Sequence, residues 1–173
     1  MKKVKFDARY GHMQALVLGK KTQFHSVEFN LIRYLESHYP SHRVERVGIP
    51  LDESEVVTVY LNDGISFGYR PKYKIGEVIM VEDIAIQIKI TGIRIVRLCN
   101  LSAKDVVNEG IGVMYMDGRK FYCYPDLEDK CLIYFKSHQL VWNSLLYRTH
   151  DSDLVLNNPY SVVYEFEVMR REM

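Results

Sequence analysis

The central stretch of the chain, residues 84–95, reads IAIQIKITGIRI. Isoleucines fill every second position from Ile84 to Ile90, which is typical of a strand with one apolar and one polar face. After Gly92 the isoleucines move to the odd positions. Because strand side chains alternate with a period of two, this change of phase requires an extra residue or a bend, and glycine is favoured at either. The stretch therefore predicts an irregularity at Gly92, in a small closed or nearly closed barrel.

Weaker patterns lie on the N-terminal side of this strand. Met13, Leu16 and Val17 fall on one face of a short helix that Gly19 would end. The elements predicted before the central strand are a strand at 2–6, this helix, a strand at 22–26, a helix to about residue 38, a loop or insertion at 39–55 and a hairpin at 56–69 turning on Asn62-Asp63-Gly64.

Further elements are predicted after the central strand. They are a helix capped at Ser102 and ended by Gly110, a hairpin around 117–118, a helical pattern in which Leu127, Cys131, Tyr134, His138, Val141 and Leu145 share one face, and a strand at 160–168. Short strands with helices at one side predict one α+β domain over residues 1–173. Its sheet is expected to be a mixed or mostly antiparallel barrel.

The charge balance excludes a strong global field. Lys and Arg number 23 against 22 Asp and Glu, so the formal net charge is +1. Cations concentrate near the start, where residues 1–21 hold six basic residues and one acid, Asp7. This asymmetry permits a basic face, although most charge runs are solvated surface.

Cysteine usage and hydropathy argue for a protein of the reducing cytoplasm. The three cysteines are odd in number and lack C-x-x-C spacing, which disfavours a disulfide framework and a structural zinc site. No apolar run reaches the roughly 18 residues that a membrane span needs. We expect no metal, no cofactor and no membrane partner.

Several motifs together resemble one family. Gly19-Lys20-Lys21-Thr22 resembles the G-x-K-T motif that opens the ASCH domain, a branch of the PUA-like superfamily. Other family features are matched by residues 73–78 (YKIGEV, the turn before a strand), 90–98 (ITGIRIVRL, the central strand), 102–111 (the following helix), and 142–145 with 158–166 (the closing helix and strand of phage- and prophage-encoded members).

The resemblance implies a small β-barrel with flanking helices and a cleft beside the G-x-K-T corner. Residues 39–65 and 112–134 have no counterpart in the family pattern and are expected to be insertions. Some small ASCH proteins are amidohydrolases acting on N4-acetylcytidine, in which a lysine at the position of Lys21, a threonine at that of Phe24 and a glutamate at that of Glu109 carry the chemistry. Phe24 departs from this pattern because it has no hydroxyl.

The resemblance and the local charges define the candidate site. Lys21 and Glu109 would be catalytic if the protein is an enzyme. The candidate residues for binding RNA, other single-stranded nucleic acid or a modified nucleoside are Lys20, Lys21, Thr22, Tyr73, Lys74, Glu82 and Arg94. His25, just past the corner, could reach the cleft, but a surface position is the favoured prediction.

Three functions stay open from the sequence. The first is a module that binds RNA or a modified nucleobase or nucleotide in the cleft. The second is a hydrolase, either an N4-acetylcytidine-type amidohydrolase or a ribonuclease. The third is a phage accessory protein whose insertions bind a host protein.

Overall fold

The computed structural model of the chain describes residues 1–49 and 55–169, where eleven strands and five helices form a mixed α+β fold, as predicted. The strands are β1 (Lys3–Val4), β2 (Gln23–Ser26), β3 (Val44–Gly48), β4 (Val57–Leu61), β5 (Ser66–Tyr69), β6 (Val78–Val81), β7 (Gln87–Arg97), β8 (Gly112–Met116), β9 (Arg119–Asp126), β10 (Cys131–Phe135) and β11 (Tyr160–Met169). The helices are α1 (His12–Val17), α2 (Phe29–His38), α3 (Ala103–Asn108), α4 (His138–Thr149) and α5 (Ser152–Asn157).

The main sheet has five strands in the order β1-β6-β7-β11-β2. β1 pairs with β6 in parallel, and the other neighbours are antiparallel. No pairing joins β1 to β2 within the described residues, so this sheet is open where a closed barrel was one expectation. The two edges nevertheless approach each other: the rings of Phe6, just after β1, and Phe24, in β2, lie 5.6 Å apart between centroids.

The change of phase in the central strand is a β-bulge, as predicted. Glu165 of β11 pairs with Gly92 and Phe166 pairs with Ile90, so Thr91 is the extra residue. The bulge keeps Ile90 and Ile93 in the same hydrophobic core despite their odd spacing. Glycine suits the position because a Cβ there would lie 2.6 Å from a carboxylate oxygen of Glu165.

The main sheet is covered on both faces. One core includes α2 and the three-stranded sheet β3-β4-β5, and the other includes α3, α4 and the three-stranded sheet β10-β9-β8. β11 contributes to both, since Val162 and Tyr164 belong to the first core and Val163 to the second. This double burial explains its nearly continuous apolar sequence.

Several local predictions are confirmed. Ser102 and Asp105 form the capping box that starts α3. The hairpins β4–β5 and β8–β9 turn on the predicted glycines, and Gly19 follows α1 with a φ of 68°. The predicted strand at 22–26 and the helix to residue 38 correspond to β2 and α2.

Other predictions are wrong. β3 lies in the predicted loop 39–55, of which residues 50–54 are outside the described residues. β10 is a strand where the helical pattern from Leu127 was expected, and the helix begins only at His138. β7 begins at Gln87 because Asp83 and Ala85, both at positive φ, turn the chain back from β6. Val17 was predicted to share one face of α1 with Met13 and Leu16, but Val17 is exposed whereas Leu16 is buried.

The two proposed insertions coincide with parts of the smaller sheets. Residues 39–65 include β3 and β4, and residues 112–134 include β8, β9 and most of β10. None of the helices in the described ranges has both the length and the hydropathy to cross a lipid bilayer.

Candidate functional site

The corner at residues 19–22 is fixed by backbone hydrogen bonds from three directions. The amides of Lys20 and Lys21 both donate to the carbonyl of Ala15, closing the end of α1. The amide of Thr22 donates to the carbonyl of Asn108 at the end of α3, and the Thr22 carbonyl accepts from the amide of Phe166 in β11. The corner therefore joins α1, α3 and the main sheet.

Lys21 and Glu109, 88 positions apart in the sequence, meet as a fully buried ion pair. Their side chains are each 1% exposed, and Lys21 Nζ lies 3.0 Å from Glu109 Oε2. Nζ also donates to the backbone carbonyl of Glu109 at 2.7 Å. The ammonium lies 5.1 Å from the centroid of the Phe6 ring. The structure thus brings together the two residues proposed as catalytic, in the interior and not on an open rim.

Electrostatics favour the charged form of this pair. Burial by itself would raise the pKa of Glu109, but the Lys21 ammonium and the His25 ring outweigh burial and hold that pKa at about 2. Burial lowers the pKa of Lys21, while the Glu109 carboxylate opposes this effect. The ionised Glu109 therefore faces the Lys21 ammonium. Two of the three N–H groups of this ammonium already donate to Glu109, one to the backbone carbonyl and one to Oε2.

The second oxygen of Glu109 has no hydrogen-bond partner among the described residues. Oε1 lies 3.5 Å from His25 Nδ1, yet the two atoms are not aligned for a hydrogen bond. His25 Nδ1 and His12 Nε2 are also buried without partners in the described ranges. Buried polar atoms left without partners are costly, so each such group calls for an explanation, for which a ligand or an ordered water suffices.

Three histidines from three elements surround this pair. His12 begins α1, His25 lies in β2 and His150 follows α4. The rings of His25 and His150 lie 5.3 Å apart between centroids. Burial, reinforced by Lys21, lowers the pKa of His12 to about 3, and burial lowers the pKa of His150 to about 4. Both rings are therefore neutral at pH 7.

These groups line a cavity of about 460 Å³ between the two edges of the main sheet. Its volume is in the range of about 300–1,000 Å³ that is usual for small-molecule sites. The Trp142 indole packs edge-on against His25, with 5.0 Å between centroids, and donates to the carbonyl of Leu98. The cavity therefore combines aromatic walls with a few buried polar atoms. No group of three or more His, Cys, Asp or Glu in residues 1–49 and 55–169 is arranged to hold a metal ion.

Of the predicted binding residues, Lys21, Tyr73 and Glu82 line this cavity. Tyr73 was predicted to be a binding residue, but it is only 1% exposed and its ring packs against Phe24 and Tyr164. Its hydroxyl donates to the carbonyl of Lys3 at 2.9 Å. Tyr73 therefore supports the cavity wall and presents no open ring face.

The other predicted binding residues lie elsewhere. Thr22 and Arg94 line a separate polar depression beside α3, where Arg94 is already engaged by Asp105 and Glu165. Lys20 is exposed and Lys74 is half-buried, and neither lines the cavity. The G-x-K-T corner thus directs Lys21 and Thr22 to different sides of the protein.

The sequence did not identify His12, His150 or Trp142 as site residues. His25 was predicted to lie on the surface, but its side chain is only 14% exposed and lines the cavity. In β2, His25 shares a strand face with Gln23, two residues earlier, and this face lies against α3 and α4. The period of the strand is the sequence signal that could have placed His25 inside. His12 and His150 reach the cavity through tertiary packing that no local pattern shows.

Comparisons with known proteins add no relative. The scan of protein-family models gives no match for this chain, and neither the search of curated proteins nor the search of solved structures gives one.

Proposed function

We propose that this chain is an ASCH-like domain of the PUA-like superfamily that holds a nucleobase, in RNA or in a modified nucleotide, in the cavity above Lys21 and Glu109. One observation carries the proposal. The ionised, fully buried Glu109 leaves Oε1 without a partner in the described residues, at the wall of a cavity of ligand size. Oε1 has almost no accessible surface, and its nearest polar neighbour is His25 Nδ1 at 3.5 Å. A ligand with an N–H donor would satisfy that oxygen once a small displacement of the His25 ring opened it to the cavity.

The chemistry of the cavity favours a neutral planar heterocycle. A nucleobase carries N–H donors along one edge, and recognition of unpaired bases uses such edges together with aromatic contacts. The walls supply the imidazole rings of His25 and His150 and the edge-packed Trp142. The Lys21–Glu109 pair carries no net charge, so the interior offers an anionic group no uncompensated cation.

The fold is compatible with this family. An ASCH domain is expected to have a small barrel with a cleft beside the G-x-K-T corner, and here the two edges of the main sheet flank one cavity beside that corner. We propose that the main sheet corresponds to the family barrel, and that 39–65 and 112–134 are insertions that add the outer strands.

The fluorescence of Trp142, the single tryptophan of the chain, provides a measurement of binding. Because its indole lines the cavity, we expect a saturable change of its fluorescence on titration with nucleosides or single-stranded RNA. Ser26→Tyr should abolish this change, since Ser26 lines the cavity and a tyrosine there would occupy space that a ligand needs. Ser66→Tyr, at an exposed strand serine away from the cavity, is the matched control.

Two results would contradict the assignment. One is the absence of a saturable signal with every nucleoside and RNA up to millimolar concentration. The other is unchanged binding by the Ser26→Tyr variant when the Ser66→Tyr variant also binds as the wild type does.

Hydrolysis of the bound ligand is the second candidate function. It is favoured by the presence of Lys21, Glu109 and His25 in one cavity, where the ammonium could polarise an amide carbonyl and the Glu109 carboxylate, with His25 beside it, could exchange a proton with water. His25 directly follows Phe24, the position where the family amidohydrolases use a threonine. It would supply a proton-transfer group that Phe24 lacks.

Incubation with N4-acetylcytidine and with labelled RNA tests this candidate. We expect an amidohydrolase to release acetate and cytidine, and a ribonuclease to shorten the RNA, with either product reduced about 100-fold or more in Glu109→Gln, as for loss of an acid–base group. Turnover that survives in Glu109→Gln would exclude this site as its origin. Binding without turnover leaves the chain as a binding module.

A further inference from the structure

Three lysines line the cavity at its mouth. Lys3, Lys5 and Lys72 are exposed, and none of their ammonium groups forms an ion pair with the described residues. They differ in this respect from Lys2, which lies beside them and pairs with Glu77 at 3.2 Å. The mouth therefore offers cations that no carboxylate of residues 1–49 and 55–169 holds in an ion pair.

Backbone contacts hold these lysines on neighbouring segments. The Tyr73 hydroxyl donates to the carbonyl of Lys3 at 2.9 Å, and Lys2 Nζ donates to the carbonyl of Lys72 at 2.6 Å. Lys72 Nζ lies 5.2 Å from the centroid of the Tyr73 ring. The start of the chain and the segment before β6 are thus tied together, which brings Lys3 and Lys72 to the same side of the mouth.

The interior of the cavity suits a neutral N–H donor better than an anion. Glu109 Oε1 is an ionised acceptor without a described partner, and His12 and His150 are neutral rings there. A phosphate placed inside would meet a carboxylate and an ammonium that neutralise each other, whereas a phosphate at the mouth would meet three ammonium groups against two carboxylates. The cavity therefore separates a site for a neutral N–H donor from a site for an anion.

We propose that the ligand is a nucleotide bound with its base inside the cavity and its phosphate at Lys3, Lys5 and Lys72. This inference rests on the proposed function and narrows its ligand class from nucleosides in general to nucleoside phosphates. A free mononucleotide and the 5′-phosphorylated end of an RNA carry the same chemistry. Asp7 and Glu82 also line the cavity and oppose the phosphate, so removing the Glu82 charge strengthens binding.

The test compares three probes by Trp142 fluorescence: each of the four common ribonucleosides, its 5′-monophosphate, and inorganic phosphate alone. We expect a 5′-monophosphate to bind about tenfold more tightly than its nucleoside at low salt, and this ratio to shrink as salt rises. Lys5→Ala and Lys72→Ala should each reduce the ratio about two- to fourfold, and Glu82→Gln should increase it by a similar factor. Lys136→Ala, at an exposed lysine that does not line the cavity, is the control.

The outcomes separate the inference from the function on which it rests. Equal affinity for nucleoside and monophosphate would overturn the inference and leave nucleobase binding intact. Inorganic phosphate binding as tightly as the monophosphate would show an adventitious ion only, and would also overturn it. If no probe binds, both fail. A 5′-phosphorylated dinucleotide, compared with its 5′-hydroxyl form, then distinguishes an RNA end from a free nucleotide. Tighter binding of the phosphorylated form, whether of the mononucleotide or of the dinucleotide, supports the proposal.

Discussion

Replacing Lys21 with methionine should lower the free energy of unfolding by about 3–5 kcal/mol. The substitution keeps the length of the side chain but leaves the Glu109 carboxylate buried, ionised and without its ammonium partner. It also removes the donor to the Glu109 carbonyl. Such a loss is a large fraction of the stability of an ordinary domain.

Urea unfolding of the variant at pH 7 measures this effect, and a double-mutant cycle isolates the pair. Lys21→Met combined with Glu109→Gln should cost less than the sum of the single changes, because the uncompensated charge is gone. Lys2→Met is the matched control, since it breaks an ion pair whose lysine is 53% exposed and should cost under about 1 kcal/mol. A Lys21→Met variant as stable as Lys2→Met would refute the buried pair.

Acid should destabilise the protein well above the pH at which carboxylates titrate. His12 stays neutral in the fold because burial and Lys21 lower its pKa to about 3, whereas an unfolded histidine binds a proton near pH 6.5. Between these values the unfolded chain holds one more proton, so stability is complete above pH 6.5 and falls by about 1.4 kcal/mol per pH unit below it. His150 acts in the same direction, and the stabilisation from Glu109 is lost below about pH 4.5.

Urea unfolding at several values between pH 7.5 and 4.5 measures this slope. His12→Leu should flatten it by about one proton, because the unfolded chain then has one histidine fewer to protonate. The change removes an Nε2 atom that has no hydrogen-bond partner in the described residues. His38→Leu, at an exposed position of α2, controls for the loss of an imidazole. The same slope in wild type and His12→Leu would contradict the assignment of His12 as a buried neutral group.

Local patterns predicted the parts of the fold whose signals are local. The bulge at Gly92 was visible because the period of a strand is fixed, and the capping box at Ser102 needs only four residues. β10 was misread because Leu127, Cys131 and Tyr134 happen to match a helical spacing. In fact Ile133 and Phe135 alternate inward toward α4, as in a strand with one buried face. β3 was missed because its apolar residues Val44 and Val47 are only partly buried and do not alternate with a period of two.

The site residues could be predicted only where they match positions of a family motif. Lys21 and Glu109 were paired through the family resemblance, and the structure brings them together. Their depth of burial was not predictable, since it depends on α1, α3 and β2 packing around them. Thr22 was grouped with Lys21 by sequence proximity and Arg94 by charge. Alternation along the corner directs Thr22 to another side, where Arg94 of β7 is held by Asp105 and Glu165.

The gap between β1 and β2 also has a mechanical consequence. Along the other strand boundaries of the main sheet, widening would break a ladder of backbone hydrogen bonds. At this boundary the described contact is between the rings of Phe6 and Phe24, which can slide without losing a fixed donor or acceptor. The mouth of the cavity therefore lies at a boundary where no strand ladder is described, so widening the sheet there would break no described backbone hydrogen bond between strands.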